Sequence, residues 1–195
     1  VALAAGGLGS CKGKTLGDVE PPTVDVRVEA SAGRCPDGMA HVPAGAFISG
    51  ATGEEIDFYP DWPGIEHLPR PRQTRSTEAF CIDLYEYPNV KGEMPRAYVS
   101  WDSAVTLCEE RGRRLCTEDE WSKACVGEQG QLFPYGSTYQ EGVCHADVVE
   151  GVGEARWLRP AGVFAGCVSP YGVLDLEGSL SEWVDAVPHD DDPEL

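Results

Sequence analysis

The residues with the clearest potential for chemistry are the eight cysteines of this 195-residue chain. Thiols can bind zinc, exchange electrons or form disulfides, depending on their spacing and surroundings. No two cysteines are separated by two residues, so a zinc ribbon or a thioredoxin-type motif is not supported. The number favours disulfides formed in an oxidising compartment, with buried thiols as the alternative. The cysteines are Cys11, Cys35, Cys81, Cys108, Cys116, Cys125, Cys144 and Cys167.

The first cysteine has a distinctive context. Residues 1–11 are small and apolar, as at the end of a signal peptide, and Leu8-Gly-Ser-Cys11 resembles a bacterial lipobox, whose cysteine is lipidated. The alternative is a plain tail of small residues. We expect an exported protein of the bacterial cell envelope, in the periplasm or on the outer surface, held to the membrane by lipid on Cys11. The other cysteines are then disulfide candidates in odd number, which predicts a partner outside this sequence.

The charge of the chain limits its partners. The formal net charge is -18, with 33 acidic and 15 basic residues. Such a surface repels nucleic acid, so a nucleic-acid partner is not expected. Part of the charge lies in the acidic run Asp190-Asp-Asp-Pro-Glu194. No stretch is long and apolar enough to cross a bilayer.

The pattern along the chain predicts one domain behind a tether. Residues 12–34 are polar and contain two adjacent prolines, which is typical of a linker, and residues 35–195 form the predicted domain. Short strands interrupted by proline and glycine are expected over residues 35–50, and a further strand over residues 79–87. Residues 51–72 are predicted to be a long irregular loop.

Two short helices are predicted in the middle of the chain. The first has Ser100 as its N-cap, an apolar stripe of Trp101, Ala104, Val105 and Cys108, and Gly112 as its C-terminal stop. The second begins with a capping box formed by Thr117 and Glu120, and buries Trp121, Ala124 and Cys125. Both tryptophans are expected to anchor the core. Sequence patterns typical of helices and strands become weak after Gly127, which predicts irregular structure held by crosslinks or metal.

These passages, taken in order, resemble the formylglycine-generating enzyme family, also called the sulfatase-modifying factor domain. The resemblance runs from about residue 35 to residue 187. Its most specific parts are Arg114-Leu-Cys-Thr-Glu-Asp-Glu-Trp121 and Gly172-Val-Leu-Asp-Leu-Glu-Gly-Ser-Leu-Ser-Glu-Trp183. The resemblance implies an α+β, C-type-lectin-like fold that is rich in loops and, in this sequence, truncated at its C-terminus.

The resemblance also implies a chemistry. Enzymes of the family use O2 and copper(I) to oxidise a protein cysteine to formylglycine, and two cysteines near an Arg-Gly-Gly-Ser-Trp segment hold the copper. That segment is absent from this sequence, so no catalytic residue is assigned and copper is expected only in a complete family member. Cys108 and Cys125 match family positions that form structural disulfides. A copper pair made of Cys108 and Cys116 is the less favoured alternative.

A calcium site is implied by the same resemblance. In the matching loop, Asp175 and Glu182 would supply carboxylate oxygens, while Leu176, Gly178 and Leu180 would supply main-chain carbonyls. Calcium takes six to eight oxygen ligands in flexible geometry, which such a loop can provide. The alternative is a plain turn with solvated acids. A second family calcium site is not expected, because His145 replaces the usual asparagine there.

The sequence therefore leaves two main functional hypotheses. The first is a formylglycine-generating-enzyme-like domain of a bacterial envelope lipoprotein, inactive as this fragment and directed in the family to a protein or peptide substrate. The alternative is a non-catalytic binding or scaffold lipoprotein domain of the same fold. A sugar-binding lectin is disfavoured because no Glu-Pro-Asn-type motif is present. An iron enzyme of the related branch is disfavoured because the four histidines are scattered.

Overall fold

A computed structural model describes residues 35–52, 71–145 and 158–185 in full, and the backbone of residues 2–7. Cys11, the predicted linker, most of the predicted loop at 51–72 and the acidic run at the end lie outside the described residues. The lipid anchor and the linker therefore stay predictions.

The larger sheet of the described residues contains strands β1 (Ala2–Gly7), β2 (Met39–Val42), β5 (Phe80–Glu86) and β6 (Arg114–Cys116). Their order across the sheet is β2, β5, β1, β6. Strands β2 and β5 are antiparallel, whereas β1 lies between β5 and β6, antiparallel to the first and parallel to the second. Residues 2–7, which were predicted to belong to the end of an export signal, thus form a strand that pairs with β5 and β6. Their role in export stays a prediction.

The smaller sheet is one antiparallel pair. Strand β3 comprises Gly45–Ser49 and β4 comprises Gln73–Thr77, with Gly45 opposite Thr77 and Ser49 opposite Gln73. The strands predicted over 35–50 and 79–87 are therefore present. Together with the two helices they give a mixed α+β architecture.

Both predicted helices are confirmed, with their predicted N-caps, but the C-cap of the first is Glu110, two residues before the predicted stop Gly112. Helix α1 comprises Trp101–Glu109, and the side chain of its N-cap Ser100 accepts a hydrogen bond from the backbone N–H of Ser103. Helix α2 comprises Glu118–Val126, begins with the predicted capping box and ends at Gly127, whose φ is 70°. The caps satisfy backbone donors that helix ends otherwise leave without partners.

The two helices pack on the larger sheet around one apolar core. Trp121 is buried there, as predicted, and so are Ala104, Ala124 and Leu115. Other buried residues of this core include Val42, Ile82, Cys108, Cys116 and Cys125.

The prediction that Trp101 is a core anchor is wrong. Trp101 is 42% exposed, because it is the first residue of α1 and lies at the end of the stripe, beyond the core. Its indole N–H donates to the carbonyl of Val184 at 3.1 Å, and the indole N–H of Trp183 donates to the carbonyl of Val99 at 2.7 Å. These two bonds tie the start of α1 to the segment around residue 184.

Turns and isolated bridges make up the described residues after Gly127, as predicted. The disulfide between Cys144 and Cys167 links the two described parts of this region. Within the described residues, no helix is both long and apolar enough to span a membrane.

Candidate functional site

The loop predicted to bind calcium is held in a conformation that ordinary residues rarely adopt. Asp175, Gly178 and Ser179 have φ angles of 61°, 80° and 45°. Left-handed backbone is strained for residues other than glycine, and it persists only where surrounding contacts fix it. The side chain of Leu176 lies in the main core and anchors the loop from below.

Of the two predicted carboxylate ligands, Asp175 is buried and Glu182 is half-buried, and each has one carboxylate oxygen that accepts a hydrogen bond. Oδ2 of Asp175 accepts a hydrogen bond from the backbone N–H of Gly162 at 2.6 Å. Oε2 of Glu182 accepts one from the indole N–H of Trp121 at 2.9 Å. Oε1 of Glu182 is buried and has no hydrogen-bond partner among the described residues. A buried carboxylate oxygen without a donor is costly, so this atom is suited to a cation.

Sequence reasoning missed a third buried carboxyl at this loop. Glu86, the last residue of β5, is 1% exposed. Its carboxylate accepts hydrogen bonds from the Ser179 hydroxyl at 3.0 Å and from the backbone N–H of Leu180 at 3.1 Å. The only signal in the sequence was an acid at the end of an apolar run, which more often marks a strand end at the surface. Glu177, also 1% exposed, was missed as well.

Burial and mutual repulsion make these carboxyls hard to ionise. Burial, together with the charge of Asp175, raises the pKa of Glu86 to about 7. Burial raises the pKa of Asp175 to about 6, although the Gly162 N–H and Lys91 oppose the change. Burial raises the pKa of Glu182 to about 8, and the charges of Glu86 and Asp175 add to the effect. A cation at this loop would relieve both costs.

The predicted ligands of this loop are oxygen atoms, the donors that hard cations prefer to transition metals. No group of three or more His, Cys, Asp or Glu side chains that could hold a metal occurs in the described parts of the chain. Two carboxylates plus main-chain carbonyls form an all-oxygen set, which hard cations such as calcium prefer.

His145 supports the loop through its backbone. Its carbonyl accepts a hydrogen bond from the backbone N–H of Ser179 at 3.1 Å. Its ring stacks on Phe164, with 5.2 Å between ring centroids and 11° between the planes. The disulfide between the neighbouring Cys144 and Cys167 fixes the position of His145 relative to residue 167.

The disulfide candidates divide into bonded cysteines and thiols. Cys35 is bonded to Cys81, and Cys144 to Cys167. Cys125 is also disulfide-bonded. These bonds confirm the expectation that the chain uses disulfides.

Cys108 and Cys116, both candidates for disulfides, are instead buried thiols in the core between α1 and β6. Burial raises the pKa of Cys108 to about 12 and that of Cys116 well above its usual value. Copper(I) binds thiolates, which this setting disfavours. The described thiols therefore do not fit the family's copper site.

An open cavity of about 180 Å³ lies beside the loop. Its walls include Arg96, Tyr98, Val99, Glu182 and Trp183. Tyr98 is fully exposed at its rim and has a φ of 58°. The cavity combines aromatic surface with the half-buried carboxylate of Glu182, and nothing in the sequence predicted it.

Comparison with known proteins agrees with the motifs in the helices and the loop. Formylglycine-generating enzyme of Mus musculus is 36% identical over 97 residues, which make up 46% of this chain and 26% of that protein. Inactive C-alpha-formylglycine-generating enzyme 2 of Mus musculus is 33% identical over 106 residues, or 48% of this chain and 32% of that protein. Formylglycine-generating enzyme of Thermomonospora curvata is 27% identical over 152 residues, or 74% of this chain and 46% of that protein.

The chain thus spans between about a quarter and a half of the length of these relatives. The family model for the sulfatase-modifying factor enzyme 1-like domain matches residues 85–192. This range contains both helices and the loop 175–182. The chain belongs to the sulfatase-modifying factor enzyme 1-like family, the family of formylglycine-generating enzymes that its motifs predicted.

Proposed function

We propose that this chain is the calcium-stabilised scaffold of a formylglycine-generating-enzyme-like protein in a bacterial envelope. The fold of that scaffold is the C-type-lectin-like arrangement of the family. The observation that carries the proposal is the strained acidic loop 175–182, with its unpartnered Glu182 oxygen and its crowded carboxyls.

Calcium would be held by the carboxylates of Asp175 and Glu182 and by the main-chain carbonyls of Leu176, Gly178 and Leu180. Its chemistry at this loop is structural: a divalent charge offsets the repulsion between buried carboxylates and completes their coordination. The chain's own residues do the positioning. Gly162 and Trp121 each donate to one ligand carboxylate, which leaves the remaining oxygens for the ion.

The calcium proposal is tested by the melting temperature of the chain with and without a chelator. Calcium at about 100 times its dissociation constant stabilises by about 2.7 kcal/mol. For a chain of this size that corresponds to a rise of about 5–11 °C. Magnesium at the same concentration is the control, because it requires a smaller, octahedral site. An unchanged melting temperature after chelation would refute the calcium site.

The activity proposed for the whole protein is that of the family, the copper-dependent oxidation of a cysteine in a protein substrate to formylglycine. The described thiols support no catalytic step, so we expect this chain alone to be inactive. The test is incubation of a Cys-x-Pro-x-Arg peptide with the chain and copper under O2, followed by mass spectrometry for the aldehyde. Conversion above the level of a Cys108→Ala, Cys116→Ala variant would contradict the assignment.

A non-catalytic binding domain is the second candidate, and the cavity beside Tyr98 favours it. Exposed aromatic side chains around a concave surface are common at binding sites. One of the similar proteins is also named as inactive. Binding of the same peptide without conversion, lost on Tyr98→Ala, would favour this candidate over the enzyme.

Export and lipid attachment complete the proposal. Disulfides are typical of proteins outside the cytosol, and the structure contains two whose partners are both described. Replacement of Cys11 by serine should release the protein from membranes if that residue is lipidated. Membrane association that survives Cys11→Ser would refute the anchor.

A further inference from the structure

The cavity described above lies between two segments that side chains hold together. One wall consists of residues 96–99 and the other of residues 180–183. The indole N–H of Trp183 donates to the carbonyl of Val99 at 2.7 Å, and a second indole bond joins the start of α1 to the residue after Trp183. Within the described residues, no backbone hydrogen bond connects the two walls. The space between them is therefore not closed by strand pairing.

The backbone of both walls is open. In the described part of the chain, no group accepts a hydrogen bond from the N–H of Tyr98 or Val99 in one wall, nor from that of Ser181 or Trp183 in the other. Backbone N–H groups are strong donors, and most of them have a partner in folded proteins. The donors around this cavity are therefore available to a ligand.

One of the walls continues the larger sheet. The Asp185 N–H donates to the Cys116 carbonyl at 2.7 Å, so the segment that follows residues 180–183 runs beside β6. Strand β6 is the last strand in the order of that sheet. The wall thus lies at a sheet edge, where unpaired backbone groups act as a template for a further strand.

Tyr98 projects from the other wall in a fixed position. Its side chain is fully exposed, and its φ of 58° is a left-handed conformation that is strained for a tyrosine. Bonds on both sides hold it, because the Arg96 N–H donates to the Tyr87 carbonyl at 3.0 Å and the Val99 carbonyl accepts the indole bond. An exposed ring on a backbone that is already held in place loses little entropy on binding, so it is suited to contact a partner.

An extended peptide matches this cavity better than other ligands do. The N–H and C=O groups of a peptide can pair with the open walls, while its alternate side chains point into the apolar space. The volume of about 180 Å³ has room for one side chain of leucine size. A lipid bilayer offers no partners for unpaired backbone groups, and a second copy would be repelled by the net charge of -18 on each chain.

We propose that this cavity binds an extended segment of a partner protein, which pairs with the open backbone of residues 98–99 and 181–183 and places one apolar side chain beside Tyr98. The proposal rests on the second candidate function above, the binding domain, and names the chemistry of its partner. The cavity walls carry one cation, Arg96, and one carboxylate, Glu182, so a segment without charge suits them. The segment needs neither the cysteine nor the arginine of the family's substrate motif.

The experiment is a titration of the isotope-labelled full chain with the acetylated and amidated peptide Ser-Val-Leu-Val-Ser, followed by nuclear magnetic resonance of the backbone amides. The amide signals of residues 98–99 and 181–183 should shift downfield and exchange with solvent more slowly, because these donors gain acceptors. The same peptide with both valine nitrogens methylated keeps its side chains and loses two donors. It should bind about 10-fold more weakly.

Two variants test the role of the ring. Asparagine tolerates left-handed backbone, so Tyr98→Asn removes the ring and keeps the wall, and it should weaken binding by about 5–30-fold. Met94→Ala is the matched control, because Met94 is 51% exposed in the same loop but does not line the cavity. Its affinity for the peptide should equal that of the wild-type chain. The amide spectrum of each variant shows whether it is folded.

Each negative result has its own meaning. Equal affinity for the methylated peptide would show that the backbone is not recognised, and equal affinity in Tyr98→Asn would show that the peptide binds elsewhere; either result overturns the proposal. If this peptide causes no shift but the Cys-x-Pro-x-Arg peptide does, the proposal fails and the binding domain stands. If neither peptide binds, both fail.

A membrane is tested as the competing partner. Vesicles of phosphatidylcholine are added to the same labelled chain, and we expect the amides of both walls to stay unchanged. Vesicles that shift these signals, with no response to the peptide, would overturn the proposal and identify the face as a membrane contact.

Discussion

Lys123 offers the sharpest test of how this fold is held together. Its side chain is 0% exposed, although it carries an ammonium group on α2. The ammonium donates to the carbonyls of Pro43 at 2.6 Å and Gly45 at 2.9 Å, and to the hydroxyl of Thr77 at 3.2 Å. One side chain thus ties the second helix to both strands of the smaller sheet.

The size of the effect follows from two opposing contributions. A hydrogen bond to a charged group contributes about 1.5–3 kcal/mol, and Lys123→Met removes three of them. Methionine is apolar, so the substitution also removes the desolvation cost of a buried charge, which is several kcal/mol. We expect a net loss of about 3 kcal/mol in the free energy of unfolding, mainly because the carbonyls of Pro43 and Gly45 both lose a charged donor. This corresponds to a fall of about 6–12 °C in melting temperature.

The assay is urea unfolding of Lys123→Met, with Lys91→Met as the control. Lys91 is exposed, so its substitution should change the free energy of unfolding by less than about 0.5 kcal/mol. A double-mutant cycle with Thr77→Val measures the weakest of the three bonds, with a coupling of about 0.5–1.5 kcal/mol expected. Equal stability of Lys123→Met and wild type would refute the reasoning, because it would mean that desolvation cancels all three bonds.

Three further predictions concern separate parts of the chain. Thr117→Ala should lower stability by about 1 kcal/mol in urea unfolding, because it removes the capping bond at the start of α2, whereas Thr117→Ser should be close to neutral. Burial raises the pKa of Asp83 to about 7 in spite of its salt bridge to Arg113, so the folded state binds a proton more tightly than the unfolded state. The free energy of unfolding should therefore fall as the pH rises from about 4 to about 7, and Asp83→Asn should make this dependence on pH weaker. The same pH dependence in wild type and variant would contradict the raised pKa of Asp83. Cys108 and Cys116 should resist iodoacetamide at pH 8 until urea unfolds the chain, and alkylation of the native chain at the rate of free cysteine would show that they are accessible.

The elements that the sequence predicted well are those whose causes are local. The capping box of α2 needs only Thr117 and Glu120, three residues apart, and both of its bonds are present. The strand at 79–87 follows from a run of β-branched and aromatic residues, and β5 occupies Phe80–Glu86. The calcium site at residues 175–182, with Asp175 and Glu182 as its acidic ends, came from the family resemblance and stays a prediction.

The features that the sequence did not predict depend on contacts between distant residues. Lys123 bonds Pro43 across 80 residues, and Glu86 bonds Leu180 across 94. No periodic pattern marks a lysine or a glutamate as buried, since such residues are mostly exposed. Trp101 was misplaced for a related reason: a helical stripe says which face is apolar but not how far the core extends along it.

The chain accommodates its two kinds of buried charge in different ways, and this leads to a last prediction. Three acceptors meet the ammonium of Lys123, whereas Glu86, Asp175 and Glu182 repel one another and no salt bridge reaches them from the described residues. Calcium removal should therefore loosen the loop and leave the smaller sheet intact. In hydrogen exchange with a chelator, the amides of residues 179 and 180 should exchange at least about 10-fold faster, while those of β3 and β4 keep their protection. Equal acceleration in both regions would mean that the ion stabilises the whole fold rather than this loop.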